Sequence, residues 1–523
     1  TFVGLQNYIK LFKDKEFLES WWFTIKFTIG NTIIQNVLAL LFAVALDSGI
    51  RFQKLYRTAF FVPCLISAIV VGFVWLKMFS NVLPAINDLL GTGFNFLLFG
   101  KAETVLGGLL IANNWQWVGY WMLIYLAALQ SIPGDLYEAA KVDGASALRQ
   151  FLRITLPMLA PAMTICIVGI TTGSLKVYDL LVSSTNGGPG RASTSIIYYT
   201  YSTAINGRQY GYGSALTISV VAALLLVAFL QVKVLKKRMA RSKDPREKTR
   251  YTGATLATQV VTTLAALLFL APLLIILNYS FKTKRELYIG NPLALPESLN
   301  LTNYQNAYAK LDLSVTFVNT ALYTIVAVAF LALLCGAAAW TIARNKGRFY
   351  RFAYLYFIIG ILIPAQALFL PIYIVGYRTG LVNTRVGVIL MFIATNLSFG
   401  VFLMTSFMST VPVELEEAAR IDGCSVYRTY FTIVMPLLKP AMATLIIMQS
   451  FQIWNDYLLS SLYVSTNRLK TMTVAIQSLF SQQSSDYSTA FAAIVISVLP
   501  IAILFISLQK YFIKGMTVGA VKG

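Results

Sequence analysis

The sequence has no histidine and few charged residues, and both shortages exclude classes of protein. Of 523 residues, 12 % are charged, whereas soluble domains contain about 25 %. The lack of histidine excludes Ser-His-Asp catalysis, histidine general bases and most zinc sites. The four cysteines form no CxxC pair, so neither a disulfide framework nor a metal cluster is expected. No Gly-x-x-x-x-Gly-Lys-Ser/Thr sequence is present, so the chain carries no recognisable P-loop nucleotide site.

Hydrophobic residues, in contrast, make up 57 % of the chain and form long uncharged runs. Residues 27–46, 211–232 and 256–277 contain no charge, and about 20 apolar residues are enough to cross a bilayer as a helix. We therefore predict an all-α polytopic membrane protein with about eleven spans. The predicted spans are residues 22–46, 58–80, 105–131, 158–181, 213–235, 254–278, 317–342, 352–376, 386–409, 441–462 and 489–510.

The distribution of Lys and Arg predicts the orientation of these spans. The connections on one side carry 25 of the 42 basic residues, and those on the other side carry 14 over a greater total length. The richer set is residues 47–57, 132–157, 233–253, 343–351, 410–440 and 510–523. Because cytoplasmic loops are enriched in Lys and Arg, this set is predicted to be cytoplasmic. Much of the net charge of +21 then follows from topology, and no nucleic-acid partner is expected.

One long charged stretch, residues 233–250, separates five predicted spans from six. We interpret it as a solvated cytoplasmic linker that also attracts anionic membrane lipid, and as the seam between two halves. The predicted organisation is a first half over 1–243, a linker or join over 244–252 and a second half over 253–523. The sequence leaves open whether the halves are naturally fused or are two polypeptides written as one.

The two halves share an internal repeat. A shift of 279 residues places 133–163 on 412–442 with 15 identities in 31 positions. Its core is Glu138-Ala139-Ala140-x-x-Asp143-Gly144 in the first half and Glu417-Ala418-Ala419-x-x-Asp422-Gly423 in the second. Because each copy lies between an inward-running and an outward-running span, we predict two parallel repeats about a pseudo-twofold axis along the membrane normal.

Local sequence preferences predict a helix-turn-helix in each repeat. Asp135 and Glu138 can form a capping box at the start of a helix, and Gly144 can take the left-handed conformation that ends it. Ser146 can cap a second helix that stops at Pro157. The element is either a simple connector or a docking element for a cytoplasmic partner. Two near-copies, each with small residues and an acid, favour docking.

The pattern Glu-Ala-Ala, three residues, Gly, nine residues, Ile-x-Leu-Pro resembles the EAA coupling-loop signature of permease subunits of binding-protein-dependent ABC importers. The first repeat matches it through 154–157, and the second departs only at Met435. Further segments resemble the carbohydrate-type, maltose-like branch. These are 2–8 and 185–190 in the first half and 454–457 and 514–523 in the second half.

The resemblance implies a type I ABC importer transmembrane fold, with one more span at the start of the first half than this sequence shows. It implies two cytoplasmic ATPase subunits that bind ATP and Mg, an extracytoplasmic sugar-binding protein, and a multi-pass position in the plasma membrane of a prokaryote. The chain itself would bind no cofactor and catalyse no reaction. The residues implied in ATPase coupling are Glu138, Ala139, Ala140, Asp143, Gly144, Glu417, Ala418, Ala419, Asp422 and Gly423.

Polar groups within predicted spans are candidates for a substrate path, because burying them is costly unless they find partners or line a path. Lys176 and Asp179 lie three residues apart and either form an internal salt bridge or line a polar path. The aromatic and amide run 113–121 is either an interfacial belt or a wall for sugar. The candidate path residues, several of them taken from the resemblance, are Trp115, Gly119, Tyr120, Ser174, Lys176, Tyr178, Trp454, Asn455 and Asp456.

The leading hypothesis is the permease core of an importer of sugars or oligosaccharides, driven by separate ATPase subunits through the two loops. A glycerol-phosphate or polyol permease is the alternative, and Lys176 would then be the candidate contact for the phosphate. An ion-coupled secondary transporter gives the repeated loop no role, and the lack of histidine argues against proton coupling. A membrane-embedded enzyme would need a convergent nucleophile, base or metal set, and the sequence offers none.

Overall fold

The computed structural model describes residues 3–91, 93–94, 96–235, 256–362, 368–409, 411–481 and 486–521, and all regular secondary structure in these ranges is helical. The first half contains α1 (Lys15–Asp47), α2 (Gln53–Phe61), α3 (Ala68–Lys77), α4 (Val105–Leu129), α5 (Asp135–Val142), α6 (Ala160–Leu175), α7 (Asp179–Ser184) and α8 (Tyr210–Leu235). The predicted join at 244–252 lies outside the described residues.

The second half contains α9 (Leu256–Phe281), α10 (Thr302–Lys310), α11 (Leu313–Arg344), α12 (Arg348–Leu362), α13 (Phe369–Arg378), α14 (Arg385–Met408), α15 (Glu414–Ile421), α16 (Lys439–Trp454), α17 (Leu458–Tyr463) and α18 (Tyr487–Val521). Shorter α-helices without a label are Gln6–Lys13, Leu83–Leu90, Ala147–Gln150, Leu156–Met158, Ile196–Tyr201, Lys284–Tyr288, Val426–Thr429, Met435–Leu437 and Met472–Ser481.

Seven helices in the described residues are long and apolar enough to cross a membrane, and the number is nine if each of two bent helix pairs is one span. Helix α4 is also long, with 25 residues, but the amides of Asn113, Asn114 and Gln116 make it more polar, and 17 of its residues are buried. It is therefore an interior helix of the bundle. The predicted span 352–376 corresponds to α12 and α13, between which residues 363–367 are not described.

Three predicted spans are interrupted in the structure. The span predicted at 58–80 breaks after α2, where residues 62–65 form a 3-10 turn, and the helix resumes at Ala68. The proline in that turn has no N–H to continue the helix. The spans predicted at 158–181 and 441–462 break after Leu175 and Trp454, before α7 and α17 begin. A uniform hydrophobic run therefore predicts the presence of a span but not its continuity.

The two halves pack through α9, which lies on α2, and through α18, which lies on α4. The ring of Phe269 meets the ring of Phe60 edge to face at 5.1 Å, and the indole N–H of Trp115 donates to the Phe269 carbonyl (2.9 Å). The rings of Phe61 and Phe505 stack at 4.2 Å. Aromatic side chains therefore supply much of the apolar contact between the halves, where they bury large areas.

A polar contact between the halves joins two helix breaks. The side-chain amide of Asn455, at the α16–α17 break, donates to the Leu65 carbonyl (3.1 Å). The hydroxyl of Ser67 donates in return to the Asn455 carbonyl (3.2 Å). Backbone groups that leave a helix inside a bilayer must be satisfied by protein, and here each half satisfies the other.

A charged cluster is centred on Asp486, which directly precedes α18 on the predicted outer side. Its side chain is 4 % exposed and accepts hydrogen bonds from the amines of Lys310 and Lys284 (3.2 Å for Lys284). Burial raises the pKa of the Asp486 carboxyl, but the hydrogen bonds outweigh burial, and the pKa lies below its ordinary value. The resulting stabilisation is present above the unfolded-state pKa of about 3.9 and is lost as pH falls through the lower folded-state pKa.

We expect Asp486→Asn to lower the free energy of unfolding at neutral pH by about 1–3 kcal/mol, between the values for exposed and buried ion pairs. The reason is that two lysines lose their common partner. Because the wild-type carboxylate becomes protonated in acid, the difference should shrink below about pH 4. Thermal unfolding of both proteins in the same detergent, at neutral pH and in acid, measures this.

Glu19→Gln is a matched control, because the Glu19–Lys15 pair (3.6 Å) is 58 % and 88 % exposed. Exposed pairs contribute little, so this variant should unfold like the wild type at both pH values. The interpretation of Asp486 is wrong if Asp486→Asn behaves in the same way as the control.

Candidate functional site

The two repeated loops have the same local structure. Helices α5 and α15 each end in a left-handed glycine, Gly144 with φ of 72° and Gly423 with φ of 74°. The amide of Ala145 donates to the Ala140 carbonyl (2.8 Å), and the equivalent bond in the second loop measures 2.9 Å. This is the Schellman arrangement that ends a helix. The predicted conformation of both glycines is therefore confirmed, and the repeat extends from sequence to backbone geometry.

One finer prediction about these loops is wrong. Asp135 is the first residue of α5 rather than its cap, the N-cap position is Gly134, and no side chain caps the helix, so the predicted capping box is absent. The predicted stop of the second helix at Pro157 is confirmed to within one residue, since the helical segment ends at Met158. The chain then bends by 67° into α6, and the equivalent segment bends by 76° into α16. The predicted cap on the second helix is confirmed, since Ser146 accepts from the Arg149 amide (3.4 Å).

Exposed side chains on the two loops also correspond. Glu138 and Glu417 are exposed. The apolar side chains of Val142 and Ile421, 279 residues apart, are 88 % and 86 % exposed. Each loop therefore presents an acid and an apolar side chain that its own half leaves uncovered. A single exposed apolar side chain is ordinary, but its recurrence at the equivalent position of both loops fits contact with a partner.

Asp143 and Asp422 occupy the C-cap positions of α5 and α15, and both are exposed. An acid at a helix C-terminus is unfavourable to the helix dipole. Helix stability therefore does not explain why both loops have an acid there, whereas contact with a partner would. Ala139 and Ala418 are exposed as well, and Ala419 is buried.

We expect Gly144→Ala and Gly423→Ala each to destabilise its loop by about 1–2 kcal/mol, the cost of a left-handed conformation for a residue with a Cβ. No heavy atom lies within 4 Å of a Cβ built at either position, so crowding adds nothing. Asparagine tolerates this conformation better and should cost less. Amide hydrogen exchange of the two loops measures the effect.

Gly173→Ala is the control, because a Cβ there also meets no atom within 4 Å but the residue lies in α6 without a positive φ. Alanine favours a helix over glycine by about 1 kcal/mol, so this variant should not be destabilised. Loops that exchange at the wild-type rate in both alanine variants would contradict a conformational role of the glycines.

Several predicted path residues have structural partners. The indole of Trp115 is bonded to Phe269, and that of Trp454 donates to the Ser497 carbonyl (3.0 Å). A Cβ on Gly119 would overlap the carbonyl of Phe60, so this glycine permits close packing of α4 against α2. These three positions therefore hold the helices together.

Two further predicted path residues lie within the first half. The hydroxyl of Ser174 accepts a hydrogen bond from Asn31 (2.7 Å), which in turn accepts one from Asn114 (3.0 Å). Tyr120 is half-buried, with its ring edge to face on Trp121 at 4.9 Å. Ser174 thus belongs to a buried network between α1, α4 and α6.

The remaining predicted path residues, Lys176, Tyr178, Asn455 and Asp456, lie at the α6–α7 and α16–α17 breaks. The salt bridge between Lys176 and Asp179 is not formed, since none of the ion pairs in the described part of the chain includes either residue. Both are half-buried. Oxygen Oδ1 of Asp456 accepts hydrogen bonds from the amide and the hydroxyl of Ser460 (2.8 and 2.9 Å), a residue of the first turn of α17.

Sequence reasoning missed the tyrosines that surround Tyr178. Its ring lies 6.1 Å from that of Tyr198 and 5.2 Å from that of Tyr201, which in turn lies 5.4 Å from Phe369 of the second half. The signal in the sequence is the tyrosine-rich segment 198–201 within a predicted outer connection. We call these three tyrosines with Lys176, Asp179 and Asp456 the polar aromatic cluster.

The model of the family described as "Binding-protein-dependent transport system inner membrane component" matches residues 35–241 and 329–518. The permease proteins AmyC and AmyD of a probable starch degradation products transport system in Thermoanaerobacterium thermosulfurigenes are similar. AmyC is 37 % identical over 257 residues, 49 % of this chain and 93 % of AmyC. AmyD is 35 % identical over 238 residues, 46 % of this chain and 82 % of AmyD.

The melibiose/raffinose/stachyose import permease protein MelC of Bacillus subtilis is 34 % identical over 269 residues, 51 % of this chain and 97 % of MelC. The crystal structure of a bacterial ABC transporter that imports the acidic polysaccharide alginate matches 45 % of this chain and 84 % of its own, with 22 % identity and a TM-score of 0.42. Each of these proteins aligns over most of its own length with about half of this chain.

The family model matches this chain twice, once in each half, and the two matches together make up more than half of its residues. The predicted resemblance is thereby confirmed. The chain belongs to the binding-protein-dependent transport system inner membrane components, and it is a multi-pass transport permease rather than an enzyme.

Proposed function

We propose that the chain is the membrane core of an ABC importer that moves sugars or oligosaccharides into the cytoplasm of a prokaryote across its plasma membrane. Two separate ATPase subunits, which bind ATP and Mg, dock on the two loops, and an extracytoplasmic binding protein delivers the sugar. The observation that carries this proposal is the pair of matching loops, each with an exposed acid and an exposed apolar side chain.

Two equivalent loops on one side of the membrane fit two equivalent partners. The apolar side chains Val142 and Ile421 offer contact area, and the carboxylates of Glu138 and Glu417 can pair with basic side chains of the partner. Each loop runs through a bent helix into α6 or α16. These helices end at the breaks that flank the polar aromatic cluster. Movement of the loops is therefore transmitted to the proposed path between the halves.

The chemistry of the polar aromatic cluster fits a sugar. Tyrosine rings can pack against the C–H faces of a sugar, while carboxylates and an amine can bond its hydroxyls. The relatives named for starch degradation products and for melibiose, raffinose and stachyose support this substrate class. The glycerol-phosphate alternative remains supported by a weaker likeness, 28 % identity to an sn-glycerol-3-phosphate permease protein, UgpA, of Salmonella typhi.

We expect Glu138→Ala and Glu417→Ala each to reduce uptake at least tenfold, as loss of a charge-assisted hydrogen bond of about 1.5–3 kcal/mol implies. Both side chains are exposed, so the variants should keep wild-type thermal stability. Uptake of a labelled maltooligosaccharide by vesicles containing the chain, the ATPase subunits and the binding protein measures the effect.

Glu103→Ala is the matched control, because Glu103 is an exposed acid on the predicted outer side and should not affect ATPase docking. Co-purification of the ATPase subunits with Val142→Asp and Ile421→Asp tests the apolar contact separately. Wild-type uptake in both glutamate variants, or transport without any ATPase subunit, would contradict the proposal.

Lys176→Met combined with Asp179→Leu tests the path. The two side chains form no ion pair with each other, so their role is not mutual neutralisation. We expect the double variant to reach the membrane yet lose uptake. Uptake at matched membrane abundance is the measurement, and binding of the ATPase subunits is the control. Wild-type uptake would remove both residues from the path.

The same assay separates the two substrate classes. Lys176→Met alone should abolish uptake of glycerol phosphate if a phosphate must pair with this amine, because the cluster offers no second basic side chain among its members. Sugar uptake should fall less, since a neutral hydroxyl loses only one hydrogen bond.

A further inference from the structure

The two repeated loops, called coupling loops from here on, differ at the position before the repeated glutamate. The 279-residue shift places Glu416 on Tyr137. Tyr137 shares a hydrogen bond with the Thr155 hydroxyl (2.8 Å), within its own loop. Glu416, in contrast, is 2 % exposed, and both of its carboxylate oxygens are bonded to α11. A buried carboxylate requires such partners, since an unpaired buried charge is costly.

The bonds to Glu416 come from the cytoplasmic end of α11. The indole N–H of Trp340 donates to one carboxylate oxygen (2.9 Å), and the guanidinium of Arg344 donates to the other (2.9 Å from Nε, 2.8 Å from a terminal nitrogen). Arg344 also donates to the Val411 carbonyl (2.8 Å), just before α15. The ring of Trp340 packs on the ring of Tyr430 with the two centroids 5.1 Å apart, and Tyr430 follows α15 in the chain. Helix α11 therefore holds the second loop before, within and after α15.

The described contact of the first loop with the end of α1 lies before α5, where Gln130 donates to the carboxylate of Asp47. Helix α5 buries none of its residues, whereas α15 buries Glu416 and Ala419. Helix α1, which occupies the place of α11 in the first half, has no basic residue in its last turn, whereas α11 ends in Arg344. The difference between the loops is thus a difference in attachment rather than in backbone form.

The outer end of α11 is attached as well. The amide of Asn319 donates to the Arg468 carbonyl (2.8 Å), and the hydroxyl of Thr320 accepts from the Met472 amide (2.9 Å). One residue further, Thr473 donates to the carbonyl of Asp456 (2.6 Å) at the α16–α17 break. Helix α11 has 32 residues and spans about 48 Å. It therefore joins the second loop to the break beside the polar aromatic cluster.

We propose that Glu416 is a positioning residue that fixes the second coupling loop to α11, so that the two loops transmit movement unequally. Movement of α15 is passed along α11 to the outer segment 468–473 and to Asp456. This inference rests on the proposed docking of ATPase subunits for its functional consequence, but the attachment itself belongs to the chain alone.

The first experiment therefore uses the full chain in lipid nanodiscs without any partner. Amide hydrogen exchange should be slower in α15 than in α5. Glu416→Gln, which keeps the size of the side chain, should speed exchange in α15 by about 10- to 100-fold, as expected for loss of hydrogen bonds to a charged group, and leave α5 unchanged. Glu414→Gln is the control, because Glu414 lies on the same helix and is exposed.

Further variants distinguish loss of this attachment from general unfolding. Trp340→Phe removes one of the donors and should speed exchange in α15 by less than Glu416→Gln does. The exchanged pair Glu416→Arg with Arg344→Glu should restore slow exchange in part. Unchanged exchange in α15 after Glu416→Gln, or an equal change in α5, overturns the attachment whatever the partner is.

The second experiment adds the ATPase subunits and the binding protein. Glu416→Gln is expected to retain docking, because Glu417 and Ile421 remain, and to lower the substrate moved per ATP hydrolysed several-fold. The equivalent change in the first loop, Tyr137→Phe, should leave this ratio near that of the wild type. A wild-type ratio in Glu416→Gln, together with faster exchange in α15, overturns the functional part of the inference. Loss of docking in the wild type itself would instead contradict the proposed function.

Discussion

Backbone hydrogen bonding at the helix breaks is the constraint on which the arrangement of the two halves depends. A broken helix inside a bilayer exposes amides and carbonyls that neither lipid nor water can satisfy. The side chains of Asn455 and Ser67 satisfy such groups at the contact between the halves, since each donates to a backbone carbonyl of the opposite half. Phe60 and Phe61, a few residues before Leu65, add apolar contacts to Phe269 and Phe505 of the second half. The break is therefore a point of contact between the halves.

The polar aromatic cluster shows that the breaks are not equivalent chemically. Asp456 is bonded to Ser460 in the first turn of α17, while Asp179 has an oxygen with no hydrogen-bond partner in the described part of the chain. One acid thus has a local structural role, and the other remains available. The path proposed between two similar halves would accordingly be lined by dissimilar groups, which suits a substrate that is itself asymmetric.

Local features were predictable from the sequence, and long-range ones were not. The conformation of Gly144 and the cap by Ser146 depend on a few neighbouring residues, and both were predicted. The predicted capping box is absent because α5 begins at Asp135, which leaves Gly134 rather than Asp135 at the N-cap position. Hydropathy could not reveal the break after Phe61, since the residues on both sides are equally apolar. Glu416 was missed because its partner Arg344 lies 72 residues away. The proposed division at residues 244–252 remains a prediction.

The exposed Val142 and Ile421 also affect how such a protein is assembled in the cell. Leaving an aliphatic side chain of this size in water rather than burying it forgoes about 1.5–3 kcal/mol. A newly inserted chain whose loops are still bare thus presents the kind of surface that chaperones and quality-control proteases recognise. If the ATPase subunits dock there as proposed, its lifetime depends on how soon they cover both loops, and its abundance in the membrane follows their supply.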